Sequence, residues 1–151
     1  MSFKLMDVNL VDQSTIISST ENALFPLTNI KDPRRSKVFR STTNSDSIVL
    51  DLQETSEIDT VFVVADKRSG FGVSTITIEF NGTDSWGSPA FSVSVPFSVL
   101  FGIGYTEFTK INYRFARIVM TSTLGYCELS KVYIGKRLEL TRGINFGWSQ
   151  K

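Results

Sequence analysis

Chemistry at neutral pH most often rests on histidine, and this chain of 151 residues has none. Histidine is the side chain whose ordinary pKa lies nearest neutrality. Its absence removes the usual general base and every Ser-His or Cys-His nucleophile pair. The single cysteine, Cys127, allows no internal disulfide and no zinc site of the ordinary Cys/His kind. It follows Tyr126 and opens an apolar-containing segment, the setting of a buried structural thiol rather than a nucleophile. Paired carboxylates could still serve glycoside hydrolysis. The 15 acidic residues, however, are scattered singly through loops and polar strand faces, outside any recognisable motif. Gly70-Phe71-Gly72 and Gly102-Ile103-Gly104 lack the strand-to-helix context of a phosphate cradle and read as turns. Asn81-Gly82-Thr83 matches the glycosylation pattern but reads as a hairpin turn. The expectation is a chain with no catalytic residues, no metal site and no cofactor, which binds or assembles rather than catalyses.

Aromatic side chains in polar surroundings are the functional signal that remains. Trp86 lies in the turn segment from Asn81 to Pro89, where an indole has no obvious core. There it could stack on a sugar ring or anchor a protein contact, or fold back to cap one end of the fold. Phe71 and Tyr105, each beside a glycine, raise the same question. In residues 141–151, Ile144, Phe146 and Trp148 mix with glycine and are flanked by Arg142 and Lys151. They read as assembly contacts on a C-terminal docking tail that orders on a partner.

The elements that would carry these residues have a period of two. Ile76, Ile78 and Phe80 share one face of a strand. From Phe91 to Val99 apolar residues fall on every odd position, and Pro96 places that strand at a sheet edge or a bulge. Ile58 to Ala65 is apolar on both faces and reads as a central strand, with Ile48 to Leu52 before it and a hairpin loop at Gln53 to Glu57. Tyr113 to Thr121 is a further strand, as is Lys131 to Leu140, broken at Gly135. The best helix is a short one near Asn22 to Ile30, limited by Pro26. The expected core is Ile48, Leu50, Phe62, Val64, Ile76, Ile78, Phe80, Val93, Val95, Ile118 and Met120. Arg40 and Arg117, flanked by apolar residues, are expected to be structural rather than ligand-binding, tying loops to the sheet.

The bulk numbers agree with one ordinary globular domain. Hydrophobic residues make up 41% and charged residues 21%. A net charge of +1 draws the chain to neither nucleic acid nor membrane. The distribution is uneven: residues 31–40 and 131–151 are basic, and residues 41–109 are acidic. That pattern suits docking by complementary charge or is simply a solvated surface. No apolar run is long enough to cross a bilayer, and the start lacks the apolar stretch of a signal peptide.

Residues 15–135 resemble discoidin-type domains with the galactose-binding-like jelly roll. Phe25 to Thr42 is similar to their opening segment, in which a short N-L-x-D stretch leads into W-R-S, with Phe39 standing where the tryptophan falls. Ile48-Val49-Leu50-Asp51-Leu52 resembles the I-x-I-D-L strand, Arg114 to Ile118 the A-R-Y-V-R-I strand, and Glu128 to Gly135 the closing strand. Asp32 to Ser41, and the ending from Ile134-Gly135 to Gly147-Trp148-Ser149, are similar to structural proteins of tailed bacteriophages. The resemblance implies an all-β antiparallel sandwich of about 7–9 strands with at most one short helix. It spans residues 1–140, followed by the tail at 141–151. It also implies a non-enzymatic structural subunit of a virion, made in the host cytoplasm, in the tail, adaptor or fibre-attachment region. The partners would be other virion proteins and copies of itself in a symmetric ring, with neither nucleic acid nor membrane. The alternative is a carbohydrate-binding module recognising a host-surface glycan through Trp86, Tyr105 or Phe71. Some relatives hold a structural calcium near the loop corresponding to residues 29–46. Asn29, Asp32 and Asp46 are too few ligands there to assert a site.

Overall fold

A computed structural model describes residues 3–65, 73–98 and 102–140. Two strands dominate it, β4 (Ser45–Val64) and β8 (Ile103–Ser122), which pair antiparallel along almost their whole length. Each half of this ladder finds different neighbours. The first half of β4 and the second half of β8 pair with β2 (Thr15–Ser18) and β5 (Val73–Asn81), and β6 (Phe91–Ser94) pairs with β5 as the edge. The other halves pair with β10 (Lys131–Gly135) and β7 (Phe97–Ser98). The ladder therefore runs through two layers, called here the first and second sheet. Their inner faces meet in one core: Ile48, Leu50, Ile78 and Ile118 of the first sheet cluster with Ile58, Val61, Val63 and Ile134 of the second. Phe80, Phe91 and Phe108 close the gap, with ring centroids 5.1 to 6.2 Å apart. This antiparallel sandwich is the all-β, jelly-roll architecture expected.

Smaller elements seal the rim. The one-turn helix α1 (Leu10–Gln13) follows Asn9, whose side chain accepts from the Val11 amide and ties to Val132 and Ile134 of β10. A 3₁₀ turn spans Leu27–Lys31, beginning directly after Pro26, where the short helix was expected. Two-stranded ribbons join β3 (Phe39–Arg40) to β9 (Glu128–Leu129), and β1 (Phe3–Met6) to β11 (Arg137–Leu140). Among the described residues no helix is long and apolar enough to cross a membrane.

Several expectations need correction. Gln53 to Glu57 is not a hairpin loop but an irregular stretch inside β4, where Gln53 adopts φ 74° and the register slips between Asp51 and Ser56. Because β8 follows the same path, the chain bends without reversing. A second slip between Ile58 and Thr60 shifts the alternation, so Val61 and Val63 enter the core and Phe62 faces outward. Only Gly102 of the Gly102-Ile103-Gly104 turn lies outside a strand, with φ 65°. The Asn81-Gly82 turn is a longer loop, residues 82–90, in which Asn81 caps Ser85. Pro96 sits where the chain leaves β5 and crosses to β8, as an edge or bulge position requires. Of the expected core, Val93 is only partly buried; the rest apart from Phe62 is buried.

Candidate functional site

The inward alternation of the first sheet sends Ser47, Arg117, Val119 and Glu79 to its outer face. Arg117 sits between Val49 and Glu79 in the cross-strand register, in the middle of that face. Its guanidinium pairs with Glu79 at 2.6 Å. The loop after β5 folds back over it, placing the Trp86 ring centroid 4.9 Å from the guanidinium carbon. The indole N–H donates to Asp84 at 2.6 Å, which fixes the ring's orientation. Trp86 therefore does not cap an end of the sandwich; it lies partly exposed on a sheet face. Beside it opens a groove of about 320 Å³, walled by Ser45, Asp46 and Ser47 of β4, by Glu79 and Arg117, and by Ser19. That is the lower end of small-ligand pocket sizes. The Ser19 hydroxyl donates to Asp46, whose carboxylate also accepts from the Ser47 amide at 2.7 Å. Hydroxyls, a carboxylate–guanidinium pair and an indole together suit a ligand rich in hydroxyl groups.

The second sheet carries a different outer face. Tyr133, Phe62 and Tyr105 stand opposite one another on β10, β4 and β8. Tyr105 is 43% exposed, and Phe62 and Tyr133 meet at 5.8 Å with their planes 54° apart. The Tyr105 hydroxyl donates to Glu107, which pairs with Arg137 at 2.5 Å, and Asp59 accepts from the Arg137 amide at 2.9 Å. Burial, with the Glu107 carboxylate beside it, pushes the Tyr105 phenol up to about 12. Trp86 and Tyr105 thus lie on opposite faces of the sandwich and do not form one site. Phe71, and Arg142, Ile144, Phe146 and Trp148 of the tail, lie outside the described residues.

A second groove of about 260 Å³ lies between Asp7, Leu10 and the irregular stretch of β4. Its Glu57 is held by Lys136 at 2.8 Å and Lys110 at 2.9 Å, which keeps the carboxyl down at about 2. These charges satisfy one another. The calcium ligands suggested by the resemblance do not fit a cation site. Asn29 donates its amide to Val38, Asp32 is taken by Arg34, and Asp46 serves Ser19 and Ser47. Among the described residues no group of three acidic or sulfur ligands could hold a metal ion. Cys127 is buried beside Ser41, and burial pushes its thiol up.

Trp86, Tyr105 and Arg117 were each singled out from sequence, but the neighbours that complete each face, Glu79, Asp46, Glu107 and Tyr133, were not, although the polar positions alternating with Ile78 and Ile118 were a usable signal. What alternation does not show is which loop folds over them.

No protein-family model matches the chain, and no curated protein matches it. Solved structures do share its fold. A CBM32 module from Clostridium perfringens, in complex with GalNAc-β-1,3-galactose, superposes with TM-score 0.69 at 9% identity, over 85% of this chain and 100% of that one. The family 32 carbohydrate-binding module of C. perfringens NanJ, in complex with galactose, gives 0.71 at 8% identity, over 87% and 98%. A chitosan-binding module from Paenibacillus sp. IK-5 gives 0.67 at 18% identity, over 86% and 100%. The chain has the galactose-binding-like jelly-roll fold of these carbohydrate-binding modules.

Proposed function

We propose that the chain is a non-enzymatic carbohydrate-binding module that takes a neutral, galactose-type glycan in the Arg117 groove. The observation that carries this reading is Arg117 itself, fixed between Glu79 and the Trp86 indole at the mouth of a hydroxyl-lined groove. The planar charged pair offers donors and acceptors to adjacent sugar hydroxyls, while the indole offers an apolar face. Fold neighbours that bind galactose, GalNAc-β-1,3-galactose and chitosan support the class. The test is a titration with galactose and with GalNAc-β-1,3-galactose, read by tryptophan emission in a Trp148→Phe background, since the chain has two tryptophans. Sugar should shift Trp86 emission, and Trp86→Ala or Arg117→Ala, titrated by calorimetry, should weaken binding about tenfold or more, about 1.4 kcal/mol. Binding unaffected by either substitution sinks the assignment to this groove.

A second, compatible reading is an assembly subunit of a tailed-phage virion that carries such a module to the host surface. The β1–β11 ribbon supports it: Leu5 and Leu138 face each other across the ribbon at 43% and 49% exposure, an apolar pair available to a neighbouring subunit. Cross-linking of the chain to other tail components in purified particles would establish this reading. Its absence from particles would end it.

A further inference from the structure

We propose that the outer face of the second sheet is a second sugar-binding face, so that one molecule holds two glycan chains on its opposite sides. The inference rests on the carbohydrate-binding reading and extends it to residues that the Arg117 groove does not use. The floor is the cross-strand row Tyr133–Phe62–Tyr105, spanning three strands and thus about 10 Å. Phe62 and Tyr133 meet there with their ring planes 54° apart. One wall is built of fixed polar groups: the Tyr105 hydroxyl, the Glu107 carboxylate and the Arg137 guanidinium, held in a chain of hydrogen bonds. An apolar C–H face resting on aromatic rings, with hydroxyls turned toward a carboxylate and a guanidinium, is the contact pattern of a pyranose.

Charge decides which pyranose. Arg137 is the cation for both Glu107 and Asp59, and Lys131, over the Tyr133 ring at 5.5 Å, is already paired with Asp12 at 2.9 Å. The cluster of Arg137, Glu107 and Asp59 therefore carries one positive and two negative charges. It repels a sugar carboxylate or sulfate and accepts a neutral or amino-bearing ring. Because Trp86 and Tyr105 lie on opposite outer faces, both faces can be filled together. Two weak sites on one module cross-link glycan chains or add avidity at a surface.

The experiment is NMR of the full chain with labelled aromatic rings, titrated separately with GalNAc-β-1,3-galactose, a chitosan oligosaccharide and sialyllactose. At least one of the first two should shift the Tyr105 and Tyr133 ring signals, and acidic sialyllactose should leave them unmoved. Trp86→Ala should leave those shifts in place. Tyr105→Ala, a change at an exposed position, should weaken that binding about tenfold or more at unchanged melting temperature. Sugar that shifts only Trp86 overturns the second face and spares the first. Sugar that shifts only the tyrosines assigns binding to the second face and removes it from the Arg117 groove. Silence at both faces with all three probes overturns both readings; a dimer in solution that Tyr105→Ala dissociates, with no sugar effect on the tyrosines, overturns the second face alone.

Discussion

Arg40 shows how one side chain joins elements far apart in sequence. Its guanidinium lies 4.2 Å from the Phe25 ring centroid and 4.2 Å from that of Tyr126, and pairs with Glu128 at 2.6 Å. Glu128 is buried, so the pair exists only because geometry compensates the desolvation of both charges. Removing one partner is far worse than never having had the pair. Arg40→Ala is expected to destabilise the fold by about 3–5 kcal/mol, measured by denaturant unfolding. Arg40→Lys should recover only part of that loss, because an ammonium cannot stack between two rings while gripping a carboxylate with a planar fork. A loss below about 1 kcal/mol for Arg40→Ala would mean the stack is incidental. That Arg40 and Arg117 tie loops to the sheet was legible from their apolar flanks. Their partners were not, because Glu128 and Glu79 are reached only through strand pairing across 88 and 38 positions.

Element boundaries follow from close approaches that a single sequence shows only in part. Alternation marked β5 and β10 well, but it ran β6 and β7 together as one strand from Phe91 to Val99, where the chain changes partner at Val95 and Pro96. It cut β4 and β8 too short: polar residues at Gln53 to Glu57 look like a turn wherever a strand runs past the end of a sheet into solvent. The crossing from β6 to β7 makes one such approach. A Cβ added at Gly104 would stand 2.9 Å from Val95 Cγ1, 3.1 Å from the Pro96 carbonyl oxygen and 3.2 Å from Phe97. Two of these neighbours lie in the corner that Pro96 makes, so the backbone has little room to yield. Gly104 is thus a glycine because the segment Val95 to Phe97 crowds its Cβ position, not because it turns the chain. Gly104→Ala is expected to cost about 1–3 kcal/mol by overpacking, read from the thermal midpoint. The same substitution at Gly82, which has open space around the added carbon, should be nearly silent. Equal effects at the two positions would refute the close-approach account.

At the scale of the whole molecule, the two sheets share β4 and β8, and this should govern how the protein unfolds. A sandwich of two independent sheets could lose one layer first. Here Ile58 of β4 and Ile118 of β8 are fully buried in opposite halves of the same ladder, and both belong to the single core cluster. Detaching either sheet breaks the continuity of both long strands, so local opening of one layer should cost nearly as much as global unfolding. Ile78→Ala in the first sheet and Ile58→Ala in the second each remove a fully buried side chain, at about 2–5 kcal/mol apiece. The readout is native-state hydrogen exchange at the ladder amides of β5 and β10, elements with no direct pairing to each other. Each substitution should speed exchange in the distant sheet by the same factor as in its own, about 30-fold or more at tenfold per 1.4 kcal/mol. Exchange that accelerates only in the substituted sheet would show the layers to be separate cooperative units, and the shared strands to be a hinge rather than a spine. The expected result has a functional corollary. If the Trp86 and Tyr105 faces open only together, each stays presented on its own side for as long as the molecule is folded.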